Sequence, residues 1–423
     1  MPPEAGDIEA CANSTTDIGT APSWSAVVSS LLMVRRRSSR VNTQTDVMAL
    51  LADLVRIDSV NPTLIPGAHG EAAIAAFIVT WARAAGLEAI VHNAESGRPN
   101  VVVIARGSGG GRSLMLNGHI DTVGVADMPT PFSAHIEGNK LYGRGAYDMK
   151  GGVAASLVAA KRAQALNLRG DVIVTAVADE EVASLGTQAI LRDLDRWRPD
   201  AVIVTEPTEL ELAVAHKGFV WFDVETFGVA AHGSRPALGV DAIAQMGKVL
   251  VALVHHDHAL RAAPAHLYLG TGSVHASLIH GGQELSSYPA YCKLQLERRT
   301  VPGETADTAQ AQLEALLDEC RRADDTFRAT LTRGLVRDPF EVAESVPFVQ
   351  VCQDQLAAVL RRPVPTGGVS FWADSCLFAA AGLPTVLLGP TGFGAHGAVE
   401  WVDVESVAQC ADVYTAVAQA FCQ

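Results

Sequence analysis

A chain of 423 residues with 48% hydrophobic and 18% charged residues has the composition of a folded protein, and its length points to two domains rather than one. A formal net charge of −14 argues against nucleic acid or an anionic membrane as the principal partner. The seven cysteines are odd in number and form no CxxC pair, which argues against a disulfide framework or a thiolate metal site and for a reducing, cytoplasmic setting; no run approaches the ~20 apolar residues that span a bilayer.

Residues 1–42 are rich in Ser, Thr and Ala, lack periodicity, and read as a disordered N-terminal extension. The basic run Arg35-Arg36-Arg37 follows the mildly apolar stretch Ala26 to Val34, the reverse of the order in a secretory signal. Ordered sequence begins near Asp46. Val47, Leu50, Leu51, Leu54 and Val55 fall on one face of a helix, and Ile74, Phe77, Ile78 and Trp81 on one face of a second, which Gly86 is suited to close. Short unbroken apolar runs follow: Asn100 to Ala105, Ser113 to Leu116, Asp171 to Ala178, Ala201 to Thr205 and, much later, Leu383 to Leu388. Helical stretches separate them, one from Val153 to Leu166. Such runs mark strands buried on both faces, so the expected fold is α/β, with a mainly parallel sheet covered by helices in the catalytic domain.

The stretch from 218 to 328 differs. Phe219 to Phe227 alternates like a half-buried strand, 239–254 reads as a helix, 294–299 as a strand and 305–320 as a helix. This predicts a smaller α+β domain that interrupts the catalytic domain and divides the chain into 43–217, 218–328 and 329–423.

The chemistry gathers just after the apolar runs, where open α/β sheets place their ligands. His119 and Asp121 are two apart at a strand end and point the same way, so the carboxylate can accept the imidazole N–H and orient a metal-binding His; a buried polar pair is the plainer reading. Gly143 to Gly152 lacks the spacing of a phosphate loop. Its glycines let the backbone bend around Asp148, whose two oxygens can bridge two cations, although alone it would pass for a turn or N-cap residue. Asp179, Glu180 and Glu181 follow a strand, and three adjacent carboxylates repel each other strongly without a cation unless solvated. Glu206 ends another strand, and His396 sits in a Gly-rich loop with Glu400 four residues on. Two imidazoles and at least three carboxylates make a donor set for two divalent ions. Nitrogen and oxygen donors without thiolates favour zinc, with cobalt or manganese as possible substitutes.

Taken in order, these five motifs resemble the di-zinc metallopeptidase and deacylase family of acetylornithine deacetylase, succinyl-diaminopimelate desuccinylase, aminoacylase and glutamate carboxypeptidase, from about Asp46 to the C-terminus. The look is closest to acetylornithine deacetylase-like proteins. The resemblance implies that His119 and Glu206 hold one zinc, Glu181 and His396 the other, and Asp148 bridges them. It makes Glu180 the general base and Asp121 the residue that orients His119. It also implies a lid domain that dimerises. Ala231 to Pro236 resembles the segment whose His, here His232, polarises the scissile carbonyl, usually in the partner subunit's site. Glu297-Arg298-Arg299-Thr300 resembles the segment that supplies a substrate-carboxylate Arg, best matched by Arg299. One departure is Ser286-Ser287-Tyr288-Pro289-Ala290, where the family often has a substrate-facing Asn. The implied reaction is metal-dependent hydrolysis of the amide of a small N-acyl amino acid or similar carboxylate, and the alternative is a dipeptidase or carboxypeptidase with the same site.

Overall fold

The computed structural model describes residues 43–95 and 97–423; the expected extension over 1–42 lies outside the described residues. In chain order the strands are β1 (Glu88–Glu95), β2 (Arg98–Ala105), β3 (Leu114–His119), β4 (His135–Glu137), β5 (Lys140–Tyr142), β6 (Val172–Val177), β7 (Ala201–Val204), β8 (Leu212–His216), β9 (Gly218–Phe227), β10 (Ser273–Gly281), β11 (Tyr291–Thr300), β12 (Ala329–Arg337), β13 (Phe340–Glu341), β14 (Thr366–Val369), β15 (Thr385–Leu387), β16 (Gly392–Phe393) and β17 (Trp401–Asp403).

The large sheet runs β1-β2-β6-β3-β7-β15-β8-β13, with β14 beside β8. Its centre, β6-β3-β7-β15, is parallel, as the unbroken apolar runs predict. Every residue of β3 and β6 is buried, and separate apolar cores cover the two faces of the sheet. The flanking strands β1, β2, β8 and β13 add antiparallel pairs. The first helix, Thr43–Val55, turns Val47, Leu50, Leu51, Leu54 and Val55 into the core, and it packs with helices Gly151–Ala163 and Val404–Phe421. Gly86 closes the second helix at φ +81, a backbone conformation that favours glycine.

Parallel pairing sets the strand ends level. His119 lies opposite Val177 and Asn117 opposite Val204, so the residues after β3, β6 and β7 share one edge. Helix Gly151–Ala163 is seated against that edge. A Cβ on Gly152 would lie 2.0 Å from the carbonyl oxygen of Thr205, so only glycine permits the approach.

The interruption is an antiparallel sheet, β10-β11-β9-β12, with helices Ala242–Ala262 and Ala306–Ala323 on one face. Val220, Phe222, Val224, Leu294, Leu296, Leu313 and Leu317 form its own core. The alternation read from 219 to 227 is the alternation of buried and open residues along β9. Asp241 caps the first helix by accepting from the Ala244 N–H, and Thr305 caps the second in a reciprocal box with Thr308. The expected end at 328 falls one strand short: β12 pairs with β9 and carries the unit to Arg337. That strand's mostly half-exposed, polar sequence conceals it. Where the chain enters and leaves, β9–β12 pairing passes directly into β8–β13 pairing, Phe219 opposite Arg337 and then His216 opposite Phe340.

Candidate metal centre

Five predicted ligands converge at the level edge of the large sheet. His119, ending β3, brings Nε2 to 3.1 Å from Asp148 Oδ1 and 3.8 Å from Glu206 Oε1. His396 Nε2 lies 3.3 Å from Asp148 Oδ2 and 3.0 Å from Glu181 Oε2. Asp148 therefore offers one oxygen to each imidazole, the geometry of a bridge. Donor atoms of His119, Glu180 and Glu206 fall within 4.8 Å of one another, as do those of His119, Asp148 and Glu181.

The electrostatics describe a site built for cations. Burial raises the affinity of the Glu180 and Glu206 carboxyls for protons well above the usual range, and neighbouring carboxylates add to it against the pull of His119. Glu181 is raised by burial and by Asp148. Burial opposes charge on His119, but hydrogen bonding to Asp148 and the nearby Glu206, Glu180 and Asp121 carry it well above its ordinary value. Hydrogen bonds to Asp148 and Glu181 push His396 up to about 10. A cation bound among these groups would compete with their protons. Glu181 Oε1 is buried with no hydrogen-bond partner among the described residues, a free lone pair beside two imidazoles. The nitrogen and oxygen donors fit divalent ions of the zinc class.

Behind the ligands lies a buried network that local spacing does not expose. His119 meets Asp121 mainly at the backbone: the carbonyl accepts from Nδ1 at 2.9 Å, while the carboxylate is 3.6 Å away. That carboxylate instead accepts from the Glu180 N–H (3.1 Å), the Glu181 N–H (3.3 Å) and Asn61 Nδ2 (2.8 Å). It thus places the segment carrying two of the acids. Asn61 also donates to Asp179 (3.1 Å), and Arg98 bridges Asp179 (2.9 Å) and Glu71 (2.6 Å). So the acid run is not uniform: Asp179 is neutralised by a guanidinium, and Glu180 and Glu181 face the site. Asp374, buried and held by Thr187 Oγ1 at 2.6 Å, adds negative potential at His119 and Glu180. Nothing in the run Trp372-Ala373-Asp374 marks it as part of a site.

The two residues read from the inserted unit stand apart. His232 is exposed, with Nδ1 2.8 Å from Ser234 Oγ. Arg299 is held by Glu297 at 2.6 Å, and its guanidinium lies 5.1 Å from the Phe219 ring centroid. No hydrogen bond or ion pair among the described residues joins either to the five ligands.

This fold with this cluster defines a metal-dependent hydrolase. The model of peptidase family M20/M25/M40 matches residues 115–420, and the chain belongs to that family. Acetylornithine deacetylases of Salmonella arizonae and Salmonella typhi are each 27% identical over 376 residues, covering 87% of this chain and 96% of theirs. Among solved structures, aminopeptidase PepT of Bacillus cereus superposes with a TM-score of 0.73 at 18% identity, covering 90% of this chain and 99% of its own. The metallo-carboxypeptidase Sso-CP2 of Sulfolobus solfataricus gives 0.73 at 16% identity over 89% and 99%. The dipeptidase Dug1p of Saccharomyces cerevisiae gives 0.65 at 14% over 90% and 98%. The family resemblance read from the five motifs holds, and so does the α/β fold with its separate antiparallel unit.

Proposed function

We propose that this protein is a di-zinc deacylase of the acetylornithine deacetylase type, which hydrolyses the amide of a small N-acyl amino acid. The observation that carries the reading is the convergence of His119, Asp148, Glu181, Glu206 and His396 with one further carboxylate, Glu180, beside them. Two zinc ions, one with His119 and Glu206 and one with Glu181 and His396, and Asp148 between, would polarise a carbonyl and lower the pKa of water. Glu180 accepts the proton of the attacking water and delivers it to the leaving amine nitrogen. Arg299, whose Nε donates to Glu297 and whose guanidinium offers a planar fork, orients the substrate carboxylate. His232 donates to the carbonyl oxygen as negative charge develops there.

Because His232 is exposed and lies apart from the ligands of its own chain, it acts in this reading on the site of a second copy. The inserted unit is then a lid and a dimerisation domain. Exposed Leu278 and Ile279 on the edge strand β10, and Val251 and Val254 on the adjoining helix, supply an apolar face for the contact. Mixing inactive Glu180→Gln and His232→Ala proteins under subunit exchange should restore turnover, since one hybrid site has both groups. A mixture as inactive as its parents would return His232 to its own subunit.

The reading as a whole is tested by hydrolysis of N-acetylornithine, N-acetylmethionine, N-succinyl-diaminopimelate and a set of dipeptides, with and without chelator. Chelator-sensitive release from an N-acyl amino acid is the expected result. Cleavage confined to dipeptides would replace the deacylase by a dipeptidase that uses the same residues.

A further inference from the structure

Glu400 has no part in the mechanism above, yet it is almost completely buried four residues after His396. The small sheet β16-β17-β5-β4 places it there: Glu400 immediately precedes β17, which pairs with β5, so it comes level with Gly143 and Arg144. Its Oε1 accepts from the backbone N–H groups of Tyr147 (3.0 Å) and Asp148 (3.2 Å). Its Oε2 pairs with Arg144 Nη1 at 2.7 Å. Arg144, equally buried, spends its other donors on the carbonyls of Gly397 (2.8 Å) and Gly124 (3.1 Å). One buried ion pair thus grips the backbone at Asp148 and the backbone next to His396.

The other ligands are placed differently. His119 and Glu206 stand at or just after the ends of paired parallel strands, and Glu181 hangs from Asp121. Asp148 and His396 lie outside the large sheet, in a kinked turn and in a loop where His396 itself has φ +61. For these two, the Arg144–Glu400 pair ties the segments together behind their direct contact.

We propose that Arg144 and Glu400 are positioning residues that set the separation of Asp148 and His396, and so govern the metal position that uses both of them more than the position that shares only Asp148. This rests on the two-metal reading. The chain's own geometry makes the effect unequal: weakening the pair loosens both Asp148 and His396 at one position, whereas the other keeps His119 and Glu206 on their strands.

The test is cobalt(II) titration of the metal-free, full-length protein, followed by absorbance and electron paramagnetic resonance, for wild type and Glu400→Gln. Wild type should take two ions per chain, with the spin coupling that a shared carboxylate produces. In Glu400→Gln one ion should weaken by roughly 10- to 100-fold, the usual effect of losing a partner behind a ligand, the other should lose clearly less, and the coupling should fade. Arg144→Lys, which keeps the charge but lacks the fork, carries the same expectation should the first variant not fold. Two ions bound and coupled as in wild type, with only a lower unfolding temperature, would make the pair merely structural and overturn the proposal. Equal weakening of both positions would overturn it too. A wild type that binds a single ion would overturn the two-metal reading, and this proposal with it.

Discussion

Replacement of Glu180 by Gln is expected to leave two metals bound and to lower kcat by about 100- to 10,000-fold, the range for removal of a positioned general base. The geometry separates this residue from its neighbours. Glu181 contacts His396 at 3.0 Å and Asp148 is shared between both imidazoles, whereas Glu180 forms no ion pair with either His among the described residues. Its backbone is fixed by Asp121 at 3.1 Å, so the substitution changes the carboxyl and not the segment. Donor atoms of Glu180, His119 and Glu206 nonetheless approach within 4.8 Å, which is close enough for ligation. Metal analysis beside kinetics resolves the two roles. Loss of one ion together with turnover would make Glu180 a ligand, and full turnover with two ions would take it out of the reaction.

Arg98→Met should lower the stability of the fold by about 3–5 kcal/mol, the cost of breaking a buried ion pair by removing one partner. Arg98 holds Glu71 through two contacts of 2.8 and 2.6 Å and Asp179 through one of 2.9 Å, and both carboxylates are buried. Methionine fills much of the same space and leaves two uncompensated charges facing Asp121. The denaturant midpoint, read at an unchanged slope, gives the loss directly. A change below about 1 kcal/mol, the scale of an exposed pair, would mean that water solvates these acids.

The candidate ligands were legible in the sequence because each sits where one rule applies: an acid or an imidazole just past a buried strand, or next to glycines that bend the chain. The central strands were legible because a short apolar run bounded by polar residues suits a strand covered on both faces. β1 was not, because Glu88–Glu95 carries only two buried residues and alternates too weakly. The support for the ligands was hidden by distance along the chain. Asn61 reaches Asp121 across 60 positions and Asp179 across 118, and Arg98 reaches Asp179 across 81. Such partners meet only once the sheet is assembled, and no local period records them. Glu400 was visible as a neighbour of His396, but its hold on Asp148 spans 252 positions. The Asp121 carboxylate was misplaced in the same way: spacing set it beside His119, while its stronger contacts lie on another strand's loop.

The chain leaves the catalytic fold after β8 and returns through β13, and these two strands pair where they cross, continuous with β9 and β12. The 120 residues from Gly218 to Arg337 are joined to the rest through this narrow ribbon and through one loop, whose His266 and Tyr268 bond Glu341 and Glu344. The ribbon's two rails lie side by side, and a Cβ on Gly218 would sit 2.4 Å from the Arg337 carbonyl oxygen. A module attached in this way behaves as a cassette. Its own core is separate from those of the large sheet, as in domain insertions whose ends lie close together. The metal cluster at the edge of the large sheet and the outer surface of the inserted unit can therefore change at separate rates.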